Sequence, residues 1–343
     1  MKTIAITTGD PAGIGPEVVL KALLSFVQRG NGCFIIDGIE TLPVITGDAS
    51  VIGDAIKRFR LPFKVEIIEN SDEHLRKPKA ESRNKRNTLF CIDARSLRSF
   101  AKCRPDADNG SAAVGYIKKA VELALSKKVD AIVTAPVSKE ALKLAGYRWP
   151  GHTEMLAELT AAKDFAMMFS GGPLKLILAT IHVPLIDVPG LITRKRVLKT
   201  IRLAKRACDM LMINNPRIAV AGLNPHAGEA GILGKEELRE IAPAVNKARE
   251  EGLPVYGPFP PDVIFHKAYR GEFDIIVCMY HDQGLIPLKM IAFDKGVNVT
   301  VGLPIIRTSP DHGTAYDIAW KGVADPSSMI EAIRMANRLK AED

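Results

Sequence analysis

Three histidines in this sequence follow three apolar, β-branched runs: His182 after "KLILATI", His226 three residues past "RIAVAGL", and His281 directly after "DIIVCMY". Runs of that composition read as buried strands, and in an open parallel sheet ligands bind at the carboxyl ends of the strands. A single histidine in that position is more often a satisfied loop residue. Three of the seven histidines in the same position point to a shared role. Neutral imidazole suits zinc and its first-row neighbours, so the pattern points to a divalent-metal site. His74 and His266 fall in polar or helical-surface contexts and read as structural or solvated.

A second group of residues has the chemistry of anion recognition. Lys289, Asn298 and Arg307 stand in the apolar stretches "LIPLKM", "GVNVTVG" and "LPIIRTS". Isolated cations are costly to bury without an anionic partner. Internal ion pairs would satisfy them, and so would a phosphorylated or carboxylated substrate, for which a guanidinium is well shaped. His152 and Thr153, in "PGHTEML", precede an amphipathic stretch. Thr153 there is either an N-cap or part of a helix start that holds an anion. "GDPAGIGPE" follows a strand and opens a helix, but Val18 stands where the third glycine of a dinucleotide fingerprint belongs. It reads either as a phosphate cradle or as a tight turn, and no ordinary Rossmann site or Walker loop is present.

The elements that must carry these residues alternate along the chain. "TIAIT", "DAIVTAP", "KLILATI", "RIAVAGL", "DIIVCMY" and "VNVTVGL" read as strands. "PEVVLKALLSFV", "SAAVGYIKKAVELALSK", "RKRVLKTIRLAKRACDMLM" and "KEELREIAPAVNKAREEG" read as helices. Such alternation predicts an α/β fold with a largely parallel sheet. With 343 residues, 47% of them hydrophobic, the chain can bury a substantial core. The net charge of +8 owes much to "LRKPKAESRNKR", a solvated stretch within a polar excursion from Asn70 to Thr88, and is a weak sign of nucleic acid or membrane. Aromatics at 6% are dispersed and offer no base-stacking platform. No apolar run reaches membrane-spanning length and no secretory leader opens the chain. The five cysteines show no CxxC pairing, and Cys208 and Cys278 lie in apolar patterns, so a reducing cytoplasm is expected.

Taken in order, "TTGDPAGIGPE", "PGHTE", "ATIHVPL", "GLNPHAGE", "MYHDQGLIPLK" and "GVNVTVGLPIIRTSPDHGTA" resemble the 4-hydroxythreonine-4-phosphate dehydrogenase family of pyridoxal phosphate biosynthesis. The resemblance runs from Thr3 to about Gly322. It implies a fold similar to isocitrate and isopropylmalate dehydrogenases: one two-lobed α/β unit across 1–343, discontinuous lobes, and an active site in the interdomain cleft. It also implies NAD as oxidant, with NADP an alternative, and one divalent metal per site (zinc, cobalt, manganese or magnesium). A homodimer would complete the site, one ligand coming from the partner.

Carried over position by position, the family's metal ligands fall on His182, His226 and His281, and its substrate-binding residues on His152, Thr153, Lys289, Asn298 and Arg307. Asp262, in "PPDVIF", matches a further active-site acid, and Lys289 is a candidate proton carrier or phosphate anchor. The implied reaction is oxidation of 4-hydroxythreonine 4-phosphate at C3 and decarboxylation to 3-amino-2-oxopropyl phosphate. The chain departs from the biosynthetic pattern with "AGILG" after "NPHAGE". A sister group similar in "VYGPFPPD" and "DIAWKG" oxidises 4-phosphothreonate or 4-phosphoerythronate, which would yield dihydroxyacetone phosphate. The residues alone also admit a metal-dependent phosphatase or hydrolase, or a non-catalytic binder of phosphorylated metabolites.

Overall fold

The run "TIAIT" lies within the first strand, β1 (Lys2–Thr7), whose residues Ile4, Ala5 and Ile6 are wholly buried. Near-continuous apolar strands of this kind belong in sheets covered on both faces. The computed structural model describes residues 1–69, 75, 87–97, 99–149 and 151–341. His74 and most of the polar segment from Asn70 to Thr88 lie outside the described residues. The chain divides into two units, Met1–Ala162 with Leu303–Ala341, and Lys163–Gly302.

In the first unit, β1 leads through a turn into α1 (Gly15–Leu24), which ends earlier than its apolar run suggests because Val27 begins β2 (Val27–Gly30). β3 (Cys33–Ile36), β4 (Ile39–Gly47), α2 (Ala49–Phe59), β5 (Lys64–Ile67), β6 (Thr88–Asp93), α3 (Ala107–Leu125) and β7 (Ala131–Thr134) follow. Two short helices, α4 (Lys139–Leu144) and α5 (His152–Leu159), close this part of the unit. β1 lies between β4 and β7, parallel to both, and β4 continues in parallel to β6 and β6 to β5. The β2–β3–β4 meander is antiparallel. The glycines of "GDPAGIGPE" serve close packing: a Cβ on Gly15 would stand 2.1 Å from the Thr8 carbonyl oxygen, and Gly9 has φ +67°. Asp10 holds the turn by accepting from the Ala12 N–H at 2.8 Å, and the Tyr316 hydroxyl donates to its other oxygen.

The second unit contains β8 (Ala166–Gly171), β9 (Leu174–Leu178), α6 (Arg194–Met210), β10 (Ile218–Ala221), α7 (Ala242–Glu250), β11 (Val255–Phe259), α8 (Pro261–Tyr269), β12 (Ile275–Cys278), α9 (His281–Ala292) and β13 (Val297–Val301). β11, β10, β12 and β9 run parallel as neighbours in that order. β8 is antiparallel to both β9 and β13, so the sheet is mostly, not wholly, parallel. The chain then returns to the first unit with β14 (Arg307–Pro310), parallel to β7, and α10 (Ser327–Arg338), which packs on β14 and β7.

Helix α9 is the element the sequence announces least, since "HDQGLIPLKMIA" contains Gly284 and Pro287. Burial compensates: Gln283, Gly284, Leu285 and Leu288 pack against β8, β9 and β12. Tertiary contact outweighs helix propensity in such cases. A Cβ on Gly284 would come 2.9 Å from Leu176 Cδ1 and 3.1 Å from Cys278 Sγ, so glycine sets how closely the helix seats. Gln283 ties two strand ends together. Its Oε1 accepts from the Met279 N–H and its Nε2 donates to the Gly222 carbonyl, each at 2.7 Å. Gln283→Leu would leave both backbone groups unsatisfied in the interior and is expected to lower the unfolding free energy by roughly 2–4 kcal/mol. Chemical denaturation measures this, and a loss well under 1 kcal/mol would show that the two bonds contribute little.

Candidate active site

β12 lies between β9 and β10, all parallel, so His182, His226 and His281 leave the sheet at one edge, the carboxyl ends of three adjacent strands. His281 is the first residue of α9, after Tyr280 as N-cap, and its ring lies 5.7 Å from that of His182, centroid to centroid, at 44°. The His281 Nδ1 is 2.8 Å from Asp282 Oδ1, a carboxylate contact that fixes the ring's tautomer and orientation. Two imidazoles at this separation suit a shared divalent ion held at about 2.0–2.1 Å from each nitrogen. His226 stands elsewhere, exposed in the turn Pro225–Gly231, with Nδ1 3.5 Å from Glu229 Oε2. Among the described residues no three His, Cys, Asp or Glu side chains converge tightly enough to hold a metal ion. The structure therefore brings together two of the three expected ligands and does not add His226 to them within the chain.

The other expected residues of this unit are dispersed around the same sheet. Lys289 is half-buried on α9, its ammonium 5.7 Å from the Phe293 ring centroid. Asn298 lies on β13, opposite Phe169 of β8, and its buried Oδ1 has no hydrogen-bond partner among the described residues. Asp262 is exposed in the first turn of α8, a helix that packs on the turn bearing His226. His266, on the same helix, is exposed, as its polar context suggested.

In the first unit Arg307 begins β14 in register with Ile132 of β7, and it is only 1% exposed. Its Nε and Nη2 donate to the Thr134 hydroxyl at 3.2 and 2.8 Å. Burial pushes the guanidinium down to about 9, which still leaves it protonated at neutral pH. His152 is the first residue of α5, and its ring is pushed down to about 3, chiefly by burial and then by the positive charges of Arg307 and Lys139. It is therefore a neutral ring beside cations. Its Nε2 is sealed from solvent and meets no hydrogen-bond partner among the described residues. Buried polar atoms are rarely left so, and an oxyanion or hydroxyl of a ligand would satisfy this one. Thr153 is buried inside α5 and is not its N-cap, a position Gly151 occupies with no side-chain bond.

Thr134, Lys139, Glu237 and Gln283 join these residues without having been singled out by sequence. Thr134 ends its strand as the histidines nearly end theirs, a signal that could have found it. Lys139 follows Ser138, whose hydroxyl caps α4 by accepting from the Ala141 N–H at 3.2 Å.

The chain matches the family described as "Pyridoxal phosphate biosynthetic protein PdxA" over residues 40–336. It is 46% identical over 338 residues to a 4-hydroxythreonine-4-phosphate dehydrogenase of Desulforapulum autotrophicum, covering 97% of this chain and 94% of that protein. It is 44% identical over 342 residues to a D-threonate 4-phosphate dehydrogenase of Salmonella typhimurium strain LT2, covering 98% and 99%. The crystal structure of a 4-hydroxythreonine-4-phosphate dehydrogenase from Klebsiella pneumoniae is similar with a TM-score of 0.84 at 42% identity, covering 98% of this chain and 99% of that one.

The depressed His152 predicts an acid sensitivity. Folded, the ring stays neutral down to about pH 3, whereas in an unfolded chain it takes a proton near 6.5. The unfolded state thus binds the extra proton, and stability falls as pH drops through 6.5 toward 3. Between pH 7 and 5 this contributes a loss of roughly 1–2 kcal/mol, which His152→Gln is expected to remove. Urea denaturation of both proteins at the two pH values tests it, and identical losses would refute the buried neutral ring.

Proposed function

The chain belongs to the family of pyridoxal phosphate biosynthetic protein PdxA, and from that premise we propose that it is a dehydrogenase using NAD and a divalent metal. Its proposed substrate is 4-hydroxythreonine 4-phosphate, oxidised at C3 and decarboxylated to 3-amino-2-oxopropyl phosphate. The observation that carries the reading is the sealed His152 Nε2 beside the buried Arg307 cation, a neutral hydrogen-bonding group and a fixed charge suited to a phosphate or carboxylate. Thr153 and Asn298 are the further polar groups assigned to the substrate, and the Asn298 Oδ1 likewise has no hydrogen-bond partner among the described residues.

When bound, a divalent ion lowers the pKa of a substrate hydroxyl and the nicotinamide accepts hydride. His182 and His281 are the donors assigned to the ion, with His226 as third ligand. Arg307 and His152 hold the anionic end, which fixes C3 for transfer and removes orientational freedom from the barrier. Oxidation makes C3 a ketone β to the carboxylate; the bond to the carboxylate then breaks, its electron pair remains on C2, and C2 takes a proton. Lys289 is assigned either to that proton or to the anionic end, and Asp262 is assigned as a further acid.

The 44% identity to the D-threonate 4-phosphate dehydrogenase favours a second reading, in which the substrate bears a hydroxyl in place of the ammonium at C2 and the product is dihydroxyacetone phosphate. Both readings predict NADH formation, abolished by chelation and restored by zinc, cobalt, manganese or magnesium, with one of the two phosphorylated acids turned over far faster. Absorbance at the NADH wavelength, with product identified by mass, decides between them. Release of inorganic phosphate without reduction of NAD or NADP would overturn both in favour of a metal-dependent hydrolase.

The active unit is proposed to be a homodimer in which His226 of one copy completes the His182 and His281 pair of the other. Large apolar side chains exposed close to these histidines in sequence, such as Ile186 at 87% and Met290 at 83%, support a covering partner. Mixing inactive His226→Ala chains with inactive His182→Ala chains under subunit exchange is then expected to restore activity, since one of the two sites in each hybrid keeps all its ligands. No recovery despite demonstrated exchange would refute the shared site.

A further inference from the structure

The turn that carries His226 is held in a conformation its own residues disfavour. His226, Ala227, Glu229 and Ala230 have φ of 51°, 54°, 43° and 53°, with Gly228 at 79° among them. A run of left-handed residues, four of them not glycine, persists only where the surroundings determine it. The carboxylate packed against this turn is that of Glu237, in the π turn Glu237–Ile241 that leads into α7. Its carboxylate is buried, the residue 3% exposed. Oε1 accepts from the Leu223 and Asn224 N–H groups, each at 2.7 Å, and Oε2 accepts from Asn224 Nδ2 at 2.9 Å. The turn itself folds against this carboxylate: a Cβ on Gly228 would lie 2.6 Å from Oε2, and one on Gly222 3.1 Å from Oε1. The Gly222 carbonyl is in turn the acceptor for Gln283 of α9.

We propose that Glu237 is the positioning residue for His226, its buried carboxylate fixing the left-handed turn 226–230 so that the imidazole leaves the β10 edge in the one orientation that can complete a metal site. Glu237 itself touches neither metal nor substrate. It accepts hydrogen bonds from Leu223 and Asn224, the second and third residues past the end of β10, and so determines where the chain bends before Pro225. Groups that orient metal-ligating histidines are worth about 10- to 100-fold in metal affinity. The inference rests on the metal reading above.

The test is the affinity of the full-length protein for cobalt(II), read from its visible absorption in competition with a chelator. The variants are Glu237→Ala, Glu237→Gln and His226→Ala, each studied below its own melting temperature. Glu237→Ala is expected to weaken cobalt binding by about 10- to 100-fold, approaching His226→Ala. Glu237→Gln is expected to retain most of the affinity, because its amide oxygen still accepts from Leu223 and Asn224. A purely structural role would lower the melting temperature and leave the affinity of the folded protein unchanged. Should Glu237→Ala fail to fold, Gly228→Ala places a methyl against the same carboxylate and is expected to weaken cobalt binding similarly. If His226→Ala loses cobalt while Glu237→Ala, or Gly228→Ala in its place, binds as the wild type does, the positioning role is refuted and the metal reading stands. If His226→Ala binds cobalt normally, the metal reading fails and the positioning role with it.

Discussion

Three neighbouring parallel strands that end at one edge impose the geometry on which the imidazole chemistry depends. Because β10, β12 and β9 run in the same direction, their carboxyl ends must lie side by side, and chain leaving them starts from one line. No side-chain interaction is needed to bring His182 and His281 near each other once their strands are paired. The hydrogen-bond ladder does it, and the side chains only refine the result. The refinement is backbone-directed: Gln283 spans β12 to β10, and Glu237 gathers the N–H groups that follow β10. Both are buried polar side chains that satisfy main-chain groups at the strand ends, and the Asn224 side-chain amide is a further donor to Glu237.

Arg307 and His152 rest on a different constraint, the cost of burying charge. Arg307 is almost fully buried, and its charged form is disfavoured there, as its depressed pKa records. Thr134 contributes a neutral acceptor and no countercharge. A neighbouring histidine kept neutral by the same burial adds no second charge to be compensated. Such a pair favours an incoming oxyanion by electrostatics already in place, without rearrangement at the moment of binding.

Much of this was legible in the sequence. The strands β1, β7, β9, β10, β12 and β13 appear as apolar runs, and α3, α6 and α7 show a helical period, because burial on one face or two leaves a local pattern. The exit of each histidine beyond its strand was legible for the same reason. β14 was not, since Arg307, Thr308 and Ser309 are polar yet buried and so break the rule that marks a strand. Helix α9 was hidden by Gly284 and Pro287, and the need for glycine at 284 is set by Leu176 and Cys278, more than a hundred residues of chain apart from each other. Glu237 and Gln283 were hidden likewise: a glutamate in an amphipathic helix and a glutamine after a histidine look solvated until their partners are known. The N-cap alternative for Thr153 failed because the helix starts two residues earlier than a threonine cap requires, with Gly151 as its N-cap.

Helix α9 acts as a lever. It carries His281 at its first turn and Lys289 eight positions on, and it is seated on the sheet at Gly284, between the two. Eight residues of α-helix span about 12 Å, so a tilt of about 5° about one end displaces the other by about 1 Å. A displacement of that size is enough to cost on the order of a hundredfold in rate at a reacting centre. The bare α-carbon at Gly284 thus sets an angular tolerance: the closeness of one helix to one strand governs where an imidazole and an ammonium, carried on one rod, stand relative to the strand ends.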